Sequence, residues 1–186
     1  MDIQSITDYL RDRFDTAVQV SPPDAWQVET PDFRLLVLLS ADQSWLRILL
    51  PIVPLPSVKD FLSQILEANF DLTQETRYAL HQDVLWGVFQ HDLASLTTAS
   101  LDSVINRLLT MHQEGVDPFF NALVEKQIRQ IIQAAKLQGQ SLEETMQTLD
   151  RFYSEGMMGD MDGSESQGKV LEAWRRQLER LWPEVE

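Results

Sequence analysis

Apolar residues recur at helical spacing near the start of the chain. Ile3, Ile6, Leu10 and Phe14, with Tyr9 beside them, place one apolar face on a helix over residues 3–14. Pro22-Pro23 ends that helix and opens a loop. Three denser runs follow: Trp26 to Glu29, Phe33 to Ser40, and Trp45 to Val53. Pro31 and Asp32 separate the first two, and Ala41-Asp42-Gln43 separates the second and third. The runs are rich in Val, Ile, Leu and aromatic residues, which predicts strands. In the second and third runs both faces are largely apolar, which predicts cover on both sides by helices or by a partner chain.

The stretch PLPS (54–57) predicts the start of a second helix over 57–70. Ser57 is a suitable N-cap, and Asp60 follows three residues later as a variant of the capping box. Val58, Phe61, Leu62, Ile65 and Leu66 then give one apolar stripe. Asn69-Phe70-Asp71 closes this helix. Thr76 to His81 and Val84 to Asp92 predict a hairpin around Gln82-Asp83. A third helix starts near Ser100, with Leu101, Val104, Ile105, Leu108 and Leu109 on one face, and stops at Gly115. The predicted order is α-β-β-β-α-β-β-α. Strands outnumber the crossovers that a parallel sheet would need, so the class is α+β with a five-stranded antiparallel sheet.

Residues after 116 read as a helical C-terminal extension. Asp117-Pro118 starts one helix, whose stripe is Phe120, Leu123, Val124, Ile128, Ile131 and Ala135 and which ends at Gly139. Ser141 to Glu144 is a capping box, followed by Leu142, Met146, Leu149 and Tyr153. The segment EGMMGDMDGSESQG (155–168) has four glycines and four acids but no Lys or Arg, which predicts a mobile acidic Gly/Met loop. A last helix carries Leu171, Trp174, Leu178 and Leu181 and ends before Pro183. The expected organisation is therefore an α+β domain over 1–116 and a helical extension over 117–186.

Composition narrows the function classes. The formal net charge is −14, which repels phosphate backbones and anionic membrane surfaces and argues against nucleic-acid binding. There is no cysteine, so disulfides, thiol catalysis and Cys-ligated metal sites are excluded. The N-terminal residues mix charges and lack the apolar core of a signal peptide. The most apolar region, FRLLVLLSADQSWLRILLPIV, is interrupted by Ser40 to Ser44 and by Arg47, so no membrane span is expected. These features together predict a cytoplasmic protein.

The stretch LHQDVLWGVFQHDL (80–93) concentrates candidate chemistry, with two of the three histidines and two aspartates. If Gln82-Asp83 are the turn, His91 lies seven residues along its strand, and at ~3.3 Å per residue the imidazoles are roughly 23 Å apart, too far to share a metal. Alternation puts His91 on the face of Leu85 and Phe89, and Trp86 and Val88 on the other. His112 follows Leu108 at the end of an apolar stripe and reads as a core-edge residue. Asp160-Met161-Asp162-Gly163-Ser164-Glu165 approaches a calcium loop, but the glycine comes too early and position twelve is Leu171 rather than Glu. No catalytic triad, phosphate loop or HExxH motif is present. The expectation is a protein that is not an enzyme and uses no cofactor or metal.

The strand pair FRLLVLLSADQSWLRILLPIV, the helix SVKDFLSQILEANF, and the hairpin RYALHQDVLWGVFQHDL followed by LDSVINRLL resemble the secretion-chaperone-like fold. This is the fold of class I type III secretion chaperones and of YbjN-type proteins, and the resemblance covers about residues 1–112. LEANF leading into a hairpin is its most suggestive piece. The resemblance implies a small α+β unit with a twisted antiparallel sheet, usually dimeric and non-enzymatic, that holds extended client segments on apolar patches and strand edges. Chaperones of this group end soon after the third helix, so residues 118–186 depart from the pattern. Together with the surplus of apolar stripes, it points to a chaperone-like homodimer binding a protein partner. The expected contact residues are Trp45, Phe61, Leu62, Ile65, Trp86 and Phe89. The alternative is a structural or assembly subunit that docks a larger partner through its helical extension.

Overall fold

The computed structural model describes residues 1–21, 25–154 and 174–185. The chain divides into two compact units, Met1–Phe120 and Asn121–Glu186.

The first unit opens with α1 (Ile3–Phe14), whose first turn is capped by Asp2 accepting from the Ser5 N–H at 2.7 Å. Four strands follow: β1 (Val18–Ser21), β2 (Ala25–Glu29), β3 (Arg34–Leu39) and β4 (Trp45–Pro54). Then come α2 (Leu62–Asp71), the hairpin β5 (Arg77–His81) and β6 (Val84–Asp92), and α3 (Thr98–Glu114). All neighbouring strands are antiparallel, in the order β1-β2-β3-β4-β6-β5. The class is α+β, as the element order predicts.

The sheet has six strands rather than five. The added strand, β1, pairs along its whole length with β2, from Val18 opposite Val28 to Ser21 opposite Ala25. It is short, and its side chains are mostly exposed. Main-chain bonds hold it in place of burial, so hydrophobic periodicity carries little trace of it.

One sheet face is closed. Trp26, Val28, Leu35, Val37, Leu46, Ile48, Leu50, Leu85 and Phe89 alternate onto it and are buried. Above them lie Ile6 and Leu10 of α1 and Leu101, Val104, Ile105, Leu108 and Met111 of α3. Full burial of such a side chain stabilises by about 1.5–3 kcal/mol. Gly87 lets α3 approach closely: a Cβ there would sit 3.1 Å from Leu108 Cδ2. Trp26 also donates from Nε1 to Thr7 Oγ1 at 3.0 Å, tying β2 to α1.

The predicted start of the second helix is corrected. Ser57 is not a cap. It lies inside a 3-10 turn, Leu55–Ser57, and a second such turn spans Lys59–Phe61 before α2 begins at Leu62. Pro54 and Pro56 restrict the backbone here, and the Leu55 N–H donates to the Asp83 carbonyl oxygen at 2.8 Å. Val58 and Phe61 are buried through these two tight turns, on the side that Ile65 and Ala68 continue.

The third helix ends at Gly115, φ 60°, as its position predicts. The next helix, α4 (Asp117–Leu137), crosses the division between the units. In the second unit α4 continues, followed by α5 (Leu142–Ser154) and α6, residues 174–181. The Ser141 capping box forms: Ser141 Oγ accepts the Glu144 N–H at 3.2 Å, and Glu144 accepts the Ser141 N–H at 2.7 Å. Ile128, Ile132, Leu178 and Leu181 make this unit's core. Arg129 and Arg180 converge on Glu125, at 2.9 and 2.8 Å. The Pro22-Pro23 loop and the acidic Gly/Met segment 155–168, with its near-calcium motif, lie outside the described residues.

Candidate functional site

The β5–β6 hairpin turns through Gln82 and Asp83, both with positive φ, 50° and 58°. Two left-handed residues make the turn whose twist matches an antiparallel pair. The resulting register sets His81 opposite Val84 and Tyr78 opposite Gly87. His81 therefore shares the sheet face of Trp86 and Val88, while His91 shares the closed face with Leu85 and Phe89. The two imidazoles are on opposite faces as well as far apart. His91 stacks on Phe89 at 5.6 Å and donates from Nδ1 to the Asp92 carbonyl oxygen at 2.7 Å. His112 has its ring nitrogens 2.9 Å from the Pro51 carbonyl oxygen and 3.0 Å from that of Asp32, so both are engaged by main chain. Among the described residues no group of three or more His, Asp or Glu side chains could hold a metal ion.

The expected contact residues separate into two groups. Phe61 is 6 % exposed and Phe89 2 %, and Ile65 is buried with them. These three belong to the unit's own core. Trp45 is exposed, and Leu62 and Trp86 are half-buried. The mirror-like stripe on α2 explains the division. Phe61, Ile65 and Ala68 face inward, whereas Leu62, Leu66 and Phe70, each four residues apart, form a second stripe facing out. Leu66 is 65 % exposed and Phe70 92 %. Leu72, at the end of α2, and Leu80, on β5, are exposed apolar residues too. Leu66 belongs to the predicted stripe. Phe70, Leu72 and Leu80 were missed, and the signal for Phe70 was its spacing from Leu62 and Leu66.

The second face of the sheet is the other candidate surface. Register places Gln19, Gln27, Leu36, Leu49, Val88 and Arg77 in one row across all six strands. The neighbouring row holds Leu38, Arg47 and Gln90, with Trp86 and Ala79 on the far side of the first. Most of these side chains are half-buried rather than buried. A pocket of about 400 Å³ opens here, lined by Arg47, Leu49, Arg77, Ala79, His81, Gln82, Trp86, Val88 and Gln90. Arg47 lies over the Trp45 ring at 5.1 Å, Arg77 donates to Gln90 Oε1, and Trp86 Nε1 donates to the His81 carbonyl oxygen at 3.1 Å. Sequence alternation predicts which residues share this face. It does not predict that no described helix of the unit fills it.

The sheet's two edges differ. At β5 the Asn69 side chain of α2 bonds both the N–H and the carbonyl oxygen of Tyr78. At the other edge β1 pairs, among the described residues, with β2 alone. Among the described residues no helix is long and apolar enough to cross a membrane.

No protein-family model matches this chain, and no curated protein matches it by sequence. Similar solved structures exist at low identity. The chain is similar to the HopA1–SchA chaperone–effector complex, with 11% identity over 63% of this chain and 98% of that one, TM-score 0.48. It is similar to the Yersinia pestis type III secretion chaperone SycH in complex with a stable fragment of YscM2, with 16% identity over 60% of this chain and 96% of that one, TM-score 0.48. It is similar to the heterodimeric ExoU–SpcU complex from the type III secretion system of Pseudomonas aeruginosa, with 14% identity over 61% and 96% of the two chains, TM-score 0.49.

Proposed function

We propose that this chain is a non-catalytic, chaperone-like protein-binding module that pairs with a second copy of itself and holds an extended partner segment on the open sheet face. The outward stripe of α2 carries this reading. Leu62, Leu66 and Phe70 line a helix whose other apolar stripe is already in the core. A contiguous exposed apolar surface of this kind marks an interaction site. A second copy is a fitting occupant because a two-fold contact sets the same patch against itself. Two such stripes bury Leu and Phe against each other without burying a charge, in a protein whose net charge of −14 would otherwise oppose self-association.

The open sheet face supplies the partner surface. It is apolar in the middle, ringed by arginine and amide side chains, and flanked by Trp45 and Trp86. Tryptophan and arginine are the side chains that most often dominate binding at such surfaces. Sedimentation velocity at micromolar concentration tests the pairing. The wild-type chain is expected to run at twice its monomer mass, and Leu66→Asp with Phe70→Asp at the monomer mass with unchanged circular dichroism. A wild-type chain that runs as a clean monomer would overturn the homodimer.

A further inference from the structure

We infer that the pocket on the open sheet face receives a carboxylate, presented by an acidic but otherwise apolar extended segment of a partner protein, with Arg47 and Arg77 as its anion-binding pair. This rests on the binding reading above and specifies its partner chemistry. The chain carries 29 acidic residues against 15 Lys and Arg, so a pocket lined by two arginines and no acid runs against its overall composition. Arg34, on the same sheet face, is neutralised by Glu29 at 2.6 Å. Neither Arg47 nor Arg77 takes part in any ion pair among the described residues.

Both cations flank one neutral side chain. Arg47 is the cross-strand neighbour of Gln90, and Arg77 donates to Gln90 Oε1. Arg47 Nε is buried without a hydrogen-bond partner. Two like charges on either side of one neutral amide, over a half-buried apolar floor, repel, and an anion between them relieves that repulsion. The planar guanidinium matches a carboxylate through paired N–H donors. The floor of Leu49, Ala79 and Val88, walled by Trp86, suits apolar side chains on either side of the acid. Phosphate fits this floor less well, because its second charge adds to the cost of leaving water.

Fluorescence anisotropy on the full chain at low salt tests the inference. The probes are rhodamine-labelled synthetic peptides that alternate Leu with Glu, or Leu with Gln. The Glu peptide is expected to bind about tenfold more tightly than the Gln peptide, the scale of one well-placed charged contact. Arg47→Gln combined with Arg77→Gln should erase that preference and leave Gln-peptide affinity unchanged. Arg34→Gln, on the same face, should leave the preference intact. Should the double variant fail to fold, Arg77→Gln alone is expected to weaken the preference. Equal binding of the two peptides overturns the acidic specificity while leaving the protein-binding reading standing. Binding of neither peptide, a preference that survives the double variant, or displacement by inorganic phosphate but not by acetate overturns it as well. The sedimentation result for α2 is independent of all these outcomes.

Discussion

Asn69 of α2 holds both outward main-chain groups of Tyr78 on β5: its Oδ1 accepts the Tyr78 N–H at 2.8 Å, and its Nδ2 donates to the Tyr78 carbonyl oxygen at 3.1 Å. One amide side chain thus stands where the next strand would be. An unpaired edge is a template for other chains, and this contact closes it at its centre. It also fixes α2 beside β5, so the outward stripe of α2 is presented in one orientation.

Replacing Asn69 with Ala leaves two part-buried main-chain groups unmade. The expected loss is about 1–3 kcal/mol in urea unfolding. Asn69→Asp retains the acceptor but sets an oxygen against the Tyr78 carbonyl, so it should destabilise at least as much as Ala. An Asn69→Ala protein as stable as the wild type would show that the contact does not hold the edge.

Adjacent residues of α2 should behave differently. Ile65 is buried, and Ile65→Ala is expected to cost about 2–5 kcal/mol through lost packing and a residual cavity. Leu66→Ala, one position on, should change unfolding of the monomer by less than about 0.5 kcal/mol. Its effect should appear in self-association instead. Denaturation and sedimentation of the two variants separate the stripes.

Two tyrosines should titrate late. Burial, then the hydrogen bond to Asp102 at 2.7 Å, pushes the Tyr9 phenol up to about 12. Burial, with Glu114 nearby, pushes Tyr78 up to about 12. A raised value means that folding favours the neutral phenol. The stabilisation is complete below the ordinary value of 10 and is lost as pH rises through about 12. Absorbance at alkaline pH should show Tyr9 and Tyr78 ionising only as the protein unfolds. Ionisation of Tyr9 and Tyr78 near pH 10 with the fold intact would refute this.

The second unit has its own core, so damage there should stay local. Ile132→Ala is expected to cost about 2–5 kcal/mol. Hydrogen exchange should rise along α4, α5 and α6 and stay unchanged in the sheet. A uniform rise across β2 to β6 would mean that the units unfold together.

Much of the fold was legible because burial on one face leaves a period. Ile6 and Leu10, the α3 stripe from Leu101 to Leu108, and the alternation of Leu35, Val37, Leu46 and Ile48 all point inward as their spacing implies. The Gln82-Asp83 turn, the Gly115 stop and the Ser141 cap were readable because each uses local chemistry. The strand β1 and the delayed start of α2 were not. One is a short, mostly exposed strand held by main-chain pairing with β2, and the other is set by Pro54 and Pro56 and by the main-chain bond from Leu55 to Asp83.

The candidate surfaces show the same limit. Sequence patterning alone determined the α+β class, the hairpin, the α3 face and the starts of α4 and α5, because each follows from residues close together in the chain. It could say that α2 and the sheet are apolar. It could not say which apolar side chains are covered. Phe61, Ile65 and Phe89 have the same character as Leu66, Phe70 and Trp45, and only the packing of α1, α2 and α3 on one sheet face sends the first three to the core. The same packing leaves Arg47 of β4 and Arg77 of β5 on the other face, although α2 separates the two strands in the chain. Periodicity records a residue's orientation on its own element, whereas exposure depends on what other elements place above it, and that was decided by the tertiary structure.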